Sequence, residues 1–308
     1  MSFLSAVGSY VPARVVRNAE LAQLLGVDAD WITQVSGIEE RRFAAEKETV
    51  VDLATAAARN CLASAGSPEI GMLIVSSGTA ERRFPGPAAG VARALNLGQV
   101  PALDLPMPSA GAVFGIALAR QLAVQYGAVL VVAAEKMSSV ALLQGTNPNA
   151  AVLFGDGAGA CVVSGQGGMA RIEDSVLASD GAFDEALQLG FSGPLQMDGR
   201  TIIMQAARKI PQSIEQLLDR NRLRPDEISA YLLHQANQLL INQVARALHV
   251  PQEGFFSNIH RYGNTSSASV LIAAADWTAA HGFKTGEHVV MSVFGAGLHW
   301  GSILLTGL

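Results

Sequence analysis

The stretch "LDLPMPSAGAVFGIALAR", Leu103–Arg120, runs from a short apolar segment through two prolines into a helical pattern of small and apolar residues, with Ser109 at the junction. Proline disfavours continuation of a central strand or a helix, so Pro106 and Pro108 mark the turn and the helix starts just beyond Ser109. A second stretch, "NTSSASVLIAAADW", Asn264–Trp277, has the same form, with Asn264 at its head. Each is paired with a glycine-rich turn into an apolar strand: "FGDGAGACVV", Phe154–Val163, and "VFGAGLHWGSILL", Val293–Leu305. Two matched pairs in the same order read as a degenerate duplication. The boundary is expected in the Gly/Ser segment "VSGQGGM", Val163–Met169, dividing the chain into halves 1–165 and 166–308.

The wider pattern is α/β. Runs rich in Val, Ile and Leu, such as "IGMLIVSSG", "AVLVVAAE", "AYLLH" and "HVVMSVFG", suit strands covered on both faces, and they alternate with Ala-rich helical segments such as Val51 to Ala65. With 308 residues, 50% hydrophobic and 15% charged, the chain can bury a large core. A formal charge of -5 and the lack of a long basic stripe argue against nucleic acid. No apolar run approaches the roughly 18 residues of a membrane helix, and the start "MSFLSAVGSYVPARVV" lacks a basic region followed by an apolar block. A cytoplasmic protein without membrane contact is the expectation. Cys61 and Cys161 sit in apolar surroundings and read as buried, reduced thiols, with no disulfide and no metal site.

Three polar residues stand where chemistry belongs. His234 follows the apolar run "SAYLLH" and is expected at a strand end, with "QANQLLINQVARAL" continuing as an amphipathic helix. Asn264 and Ser109 each head a helix, where either residue also serves as an ordinary cap. Ser109, Asp156 and His234 occur in the order of an α/β-hydrolase triad, but "MPSAG" lacks the first glycine of the nucleophile elbow and Asp156 reads as a turn residue.

The motifs "MPSAGAVFGIALA", "FGDGAGA", "LLHQANQ", "RYGNTSSAS" and "FGAGLHWGS", with the early "SYVPARVVRNAEL" and "WITQVSGIEERR", resemble the β-ketoacyl-acyl-carrier-protein synthase III family along nearly the whole chain. The resemblance implies a thiolase fold, a five-layered αβαβα core built from two βαβαβαββ halves, as a homodimer. It implies loading of an acyl group from a coenzyme A or carrier-protein thioester, then decarboxylative condensation with a malonyl thioester in fatty acid or polyketide synthesis, with no cofactor and an acyl-carrier protein as partner. Its Cys, His and Asn positions fall on Ser109, His234 and Asn264, and its oxyanion donors on the backbone N–H groups of Ser109 and Ala296. Trp31 matches a tryptophan that stacks on adenine. Phe84 matches an aromatic residue that crosses the dimer to close the partner's acyl pocket. Asn237 of "HQAN" and Gly295 of "FGAG" complete the expected substrate-binding set.

Departures from the family pattern are informative. Serine stands where the family has its nucleophilic cysteine. A hydroxyl is essentially never ionised at neutral pH, so a helix dipole alone does not prepare it and a general base such as His234 must take its proton. A natural serine variant, a deliberate Cys-to-Ser replacement, acyl transfer without condensation and a non-catalytic ketosynthase-like binding subunit all remain open. Val35, Pro148 and Leu239 stand where the family carries basic residues, which removes bidentate phosphate contacts. A basic cluster, Arg208, Lys209, Arg220, Arg222 and Arg224, remains as a candidate docking face for an acidic carrier protein, with Arg208, Lys209 and Arg222 as its centre.

Overall fold

In the computed structural model, which describes residues 1–190 and 192–308, ten strands join in one mixed sheet. The strands are β1 (Phe3–Tyr10), β2 (Met72–Ser76), β3 (Ala102–Leu105), β4 (Ala128–Lys136) and β5 (Asp156–Ser164), then β6 (Ala170–Ser179), β7 (Ile228–Leu233), β8 (Phe255–Phe256), β9 (His288–Gly295) and β10 (His299–Gly307). Their spatial order is β8-β7-β9-β10-β6-β1-β5-β4-β2-β3. Cut between β6 and β1, the order β3-β2-β4-β5-β1 repeats as β8-β7-β9-β10-β6. The directions repeat as well, since β2 pairs in parallel with β3 and β4 while β5 runs antiparallel to β4 and β1, and β7, β8, β9, β10 and β6 do the same. The seam between the runs is short: Phe3 pairs with Arg171 and Leu4 with Ala170.

Six helices complete the repeat: α1 (Val50–Ser64), α2 (Pro87–Ala94) and α3 (Gly111–Tyr126), then α4 (Gly199–Asn221), α5 (Gln238–Ala247) and α6 (Ser269–His281). Each half therefore reads βαβαβαββ. Helices α3 and α6 are apolar on nearly every side and lie between the two sheet halves, in one cluster with Ile74 and Val131 from the first half and Met291 and Val293 from the second. A helix without a polar face must be covered all round. Helices α1 and α2 cover the outside of the first half, and α4 and α5 the outside of the second. The result is the five-layered αβαβα thiolase fold.

Small residues make the central layer possible. A Cβ added at Gly159 of β5 would lie 2.4 Å from Leu271 Cβ, and one at Gly111 would lie 1.9 Å from Ser76 Oγ. Both glycines let a helix approach a strand more closely than a side chain allows. The expected helix 51–65 is α1, and "SAYLLH" is β7 followed directly by His234. Asp156, expected in a turn, is instead the first residue of β5 and fully buried. Among the described residues, no helix is long and apolar enough to cross a membrane.

Leu271 in this layer is fully buried, whereas Leu118 on α3 is 41% exposed. Leu271→Ala is expected to lower stability by about 2–5 kcal/mol and Leu118→Ala by less than about 0.5 kcal/mol, as measured by chemical denaturation.

Candidate active site

Ser109 lies two residues ahead of α3 with φ at +63°, a left-handed conformation uncommon for any residue but glycine. Its N–H donates to Ser266 Oγ at 3.0 Å, and the two hydroxyl oxygens are 3.4 Å apart. Ser266, with φ at +49°, leads into α6 in the same way. In backbone geometry, then, the second-half counterpart of Ser109 is Ser266, two residues beyond the expected Asn264. Strand β9 ends directly on the Ser109 turn. A Cβ at Gly295 would lie 2.2 Å from Pro108 O and 3.0 Å from Ser109 Cβ, so only glycine fits there.

His234 follows the last residue of β7, and its N–H donates to Ser292 O on the neighbouring β9. Its Nδ1 is 2.5 Å from Ser269 Oγ, which also accepts the Gln235 N–H at 3.1 Å. Burial drives the imidazole pKa down to about 3, so the ring is neutral at physiological pH. Asn264 is held by a bridge to Phe154, and its Oδ1 accepts the Ser266 N–H at 2.9 Å. That bond orients the amide. Its NH2 group, like His234 Nε2, has no hydrogen-bond partner among the described residues.

Two cavities meet at Ser109. The larger, about 730 Å³ of empty space including its mouth, is lined by Ser109, His234, Asn264 and Gly295 and walled by apolar residues of α4 such as Ile202 and Ala206. The smaller, about 430 Å³, is lined by Ser109, Ser266 and Ala296, with Met137, Val140 and Leu195 as apolar walls. Phe154 and Leu187 border both.

Family models for 3-oxoacyl-[acyl-carrier-protein (ACP)] synthase III match residues 103–181, and for its C-terminal part residues 218–306, so Ser109, His234, Asn264 and Ala296 all fall inside them. The chain is 37% identical over 314 residues to β-ketoacyl-[acyl-carrier-protein] synthase III of Cereibacter sphaeroides, covering 97% of each protein. It belongs to the 3-oxoacyl-[acyl-carrier-protein] synthase III family. The crystal structure of this synthase from Aquifex aeolicus VF5 superimposes with a TM-score of 0.93 at 34% identity, covering 99% of this chain and 100% of that one. The priming β-ketosynthase of the R1128 polyketide pathway gives a TM-score of 0.91 at 30% identity, covering 100% of this chain and 96% of that one.

The other expected site residues of this synthase III relative are placed unevenly. Asn237 lines the larger cavity, but its Oδ1 caps α5 through Leu239 N and its Nδ2 donates to Val35 O. Trp31 lies in the short helix Ala29–Ser36, packed against a cluster containing Ile32 and Phe43, and lines neither cavity. Phe84 is 84% exposed and also lines neither. Ala296 keeps its N–H without a hydrogen-bond partner among the described residues, whereas the Ser109 N–H, the other expected oxyanion donor, is engaged by Ser266.

The basic cluster disperses on folding. Lys209 lies over the Trp300 ring at 4.3 Å and 3.8 Å from Asp180, Arg220 pairs with Asp174, and Arg224 pairs with Asp226. Arg208 and Arg222 stay exposed, but a helical rise of 1.5 Å per residue separates them by about 21 Å along α4. The hydrolase alternative fails on geometry, because the Asp156 carboxylate is spent on Ala44 N and on Ser138 N and Oγ, while His234 Nδ1 meets Ser269. Sequence reading missed Ser266, Ser269 and Glu135. The acid closing the apolar run "VVAAEK" and the doubled serine in "NTSSAS" were the only signals.

Two outcomes follow from this geometry. Gly295→Ala places a Cβ against Pro108 O and is expected to cost about 1–3 kcal/mol, seen as a lowered Tm. His234 is neutral in the folded chain down to about pH 3, whereas the unfolded imidazole protonates near its ordinary value of 6.5. The unfolded state therefore binds the extra proton, and stability falls as pH drops from about 6.5 toward 3. In His234→Gln that part of the acid limb, measured by denaturant titration at successive pH values, is expected to flatten.

Proposed function

We propose that this protein transfers an acyl group from a thioester to Ser109 and condenses it with a malonyl-acyl-carrier-protein thioester, releasing carbon dioxide. The observation that carries this reading is Ser109 at the meeting point of two cavities, one of which also holds His234 and Asn264. The smaller cavity, with Met137, Val140 and Leu195, suits an acyl chain, and the larger suits the arm that delivers it. Attack by Ser109 Oγ on the carbonyl gives a tetrahedral oxyanion near the free Ala296 N–H and the N-terminus of α3. Loss of the thiol leaves an acyl ester on Ser109. The malonyl thioester then enters the larger cavity and loses carbon dioxide, and the resulting enolate oxygen receives hydrogen bonds from His234 Nε2 and Asn264 Nδ2. Ser269 Oγ can donate to Nδ1, the arrangement that leaves the hydrogen of the neutral ring on Nε2 for that role.

The same proposal includes a cytoplasmic homodimer in which Phe84 closes the partner's acyl cavity, division of the chain into halves at 165/166, and no cofactor beyond the thioester substrates. Arg208 and Arg222 contribute to carrier-protein docking as separate contacts, and Lys209 supports α4 from within. Asn237 shapes the cavity wall through its cap, and Trp31 offers an aromatic face to the adenine of a coenzyme A donor. A second reading has one specific support: the oxygen at position 109 makes the intermediate an oxyester, a weaker electrophile toward carbon than a thioester. On that reading the protein loads and transfers acyl groups without condensation.

The test is intact-protein mass spectrometry with a panel of acyl-coenzyme A and acyl-carrier-protein thioesters, for the native chain, Ser109→Ala and Ser109→Cys. A mass gain in the native chain that disappears in Ser109→Ala is the expected result, followed by its loss on addition of malonyl-acyl-carrier protein. An acyl adduct that persists with the malonyl donor favours transfer alone. Absence of an adduct in every form, with every donor, rejects the acyltransferase reading.

A further inference from the structure

Glu135, the penultimate residue of β4, is fully buried, and its two oxygens are ringed by donors. Oε1 accepts from Ser266 Oγ at 3.1 Å, Ser267 Oγ at 2.7 Å and Ser267 N at 3.4 Å. Oε2 accepts from Thr79 Oγ1 at 2.7 Å, Gly78 N at 2.9 Å and Ser77 Oγ at 3.3 Å. An ionised carboxylate accepts and cannot donate, so Ser266 must direct its one hydroxyl proton at Glu135. Its two lone pairs then face the other way, where one takes the Ser109 N–H at 3.0 Å and the other faces Ser109 Oγ at 3.4 Å. The Ser109 hydroxyl can donate into this chain, and the chain is polarised away from it.

We propose that Ser266 and Glu135 form a hydroxyl–carboxylate relay that takes the proton from Ser109 during acyl loading. The relay rests on the reading of Ser109 as the acyl acceptor. As Ser109 Oγ bonds to the thioester carbonyl carbon, its proton moves to Ser266 Oγ and the Ser266 proton moves to Glu135 Oε1. The carbon–sulfur bond then breaks, and the departing thiolate takes a proton from solvent. When the acyl group leaves Ser109 in the second step, Glu135 returns its proton through Ser266 and the hydroxyl is restored. Ser266 touches the reacting oxygen. Glu135 acts through it, as a positioning residue and proton store.

Burial acts on the two candidate acceptors in opposite directions. It raises the Glu135 pKa above the ordinary carboxylate value and lowers that of His234 to about 3, which leaves the imidazole a weak base. The enolate-binding role assigned to His234 Nε2 also uses that nitrogen as a donor rather than an acceptor, while Nδ1 is engaged by Ser269. A serine nucleophile needs a base, whereas a cysteine thiolate at a helix N-terminus needs far less help.

That contrast gives the test. Acyl loading rates are measured by intact mass for Ser266→Ala and Glu135→Gln, each made in the native chain and in Ser109→Cys. The expected result is a loss on the order of 100-fold in the serine background and less than about threefold in the cysteine background, the size of a general-base contribution. Equal losses in both backgrounds, or none in either, overturn the relay and leave Glu135 a structural brace. Ser266→Ala keeps five of the six hydrogen bonds to Glu135, so it reports even where Glu135→Gln does not fold. Failure of native Ser109 to load, while Ser109→Cys loads, overturns the relay but keeps the family chemistry. Failure of both removes the acyl-acceptor reading itself.

Discussion

A carboxylate sealed from water must be surrounded by donors, because leaving even one charged oxygen without a partner costs several kcal/mol. Glu135 meets that demand by drawing in the segment just after β2, through Ser77, Gly78 and Thr79, and the turn just before α6, through Ser266 and Ser267. These segments belong to different halves of the chain. Satisfying one buried charge thus fixes the first half against the second at the point where Ser109 stands. Ser266 passes the constraint on by taking the Ser109 N–H, and its own N–H orients Asn264. The placement of two of the three proposed reacting groups follows from where Glu135 finds its donors.

The close approach behind this arrangement depends on small residues. Gly111 brings α3 onto Ser76, and Gly295 brings the end of β9 onto the Ser109 turn. A methyl group at either position would meet atoms at 1.9 Å or 2.2 Å, so the helices and strand ends would separate and the two cavities would no longer share a wall at Ser109. The glycine-rich turns that first suggested duplication are therefore also what lets the repeated units converge. Duplication and site formation are one packing problem here.

Much of this was legible in the sequence because it is local. Runs such as "AYLLH" and "HVVMSVFG" become β7 and β9, since an all-apolar strand has nowhere to sit except between two layers. His234 at the end of β7 follows from the length of its run. What was illegible depends on distant partners. Ser266 and Ser109 are 157 residues apart, and nothing in "NTSSAS" says which serine turns left-handed to meet the other. Lys209 and Arg220 read as a basic face because their acids, Asp180 and Asp174, come from β6 and the turn after it. Asp156 read as a turn residue because glycines flank it, yet the backbone and hydroxyl donors of Ala44 and Ser138 make it a buried anchor.

The oxygen at position 109 changes what the rest of the site must do. A thiolate attacks without a nearby proton acceptor, so a cysteine in this turn would ask only for the α3 dipole and a free oxyanion donor. A hydroxyl asks for a base as well. The site divides these duties by burial: the same desolvation that keeps His234 neutral and able to donate toward an enolate also makes Glu135 readier to hold a proton. Two groups of opposite charge type, each denied water, are shifted in opposite directions: burial weakens His234 as a base and strengthens the Glu135 carboxylate as a proton acceptor. Ser266 lies between Glu135 and Ser109, because its hydroxyl has one donor for Glu135 and two acceptor positions facing Ser109.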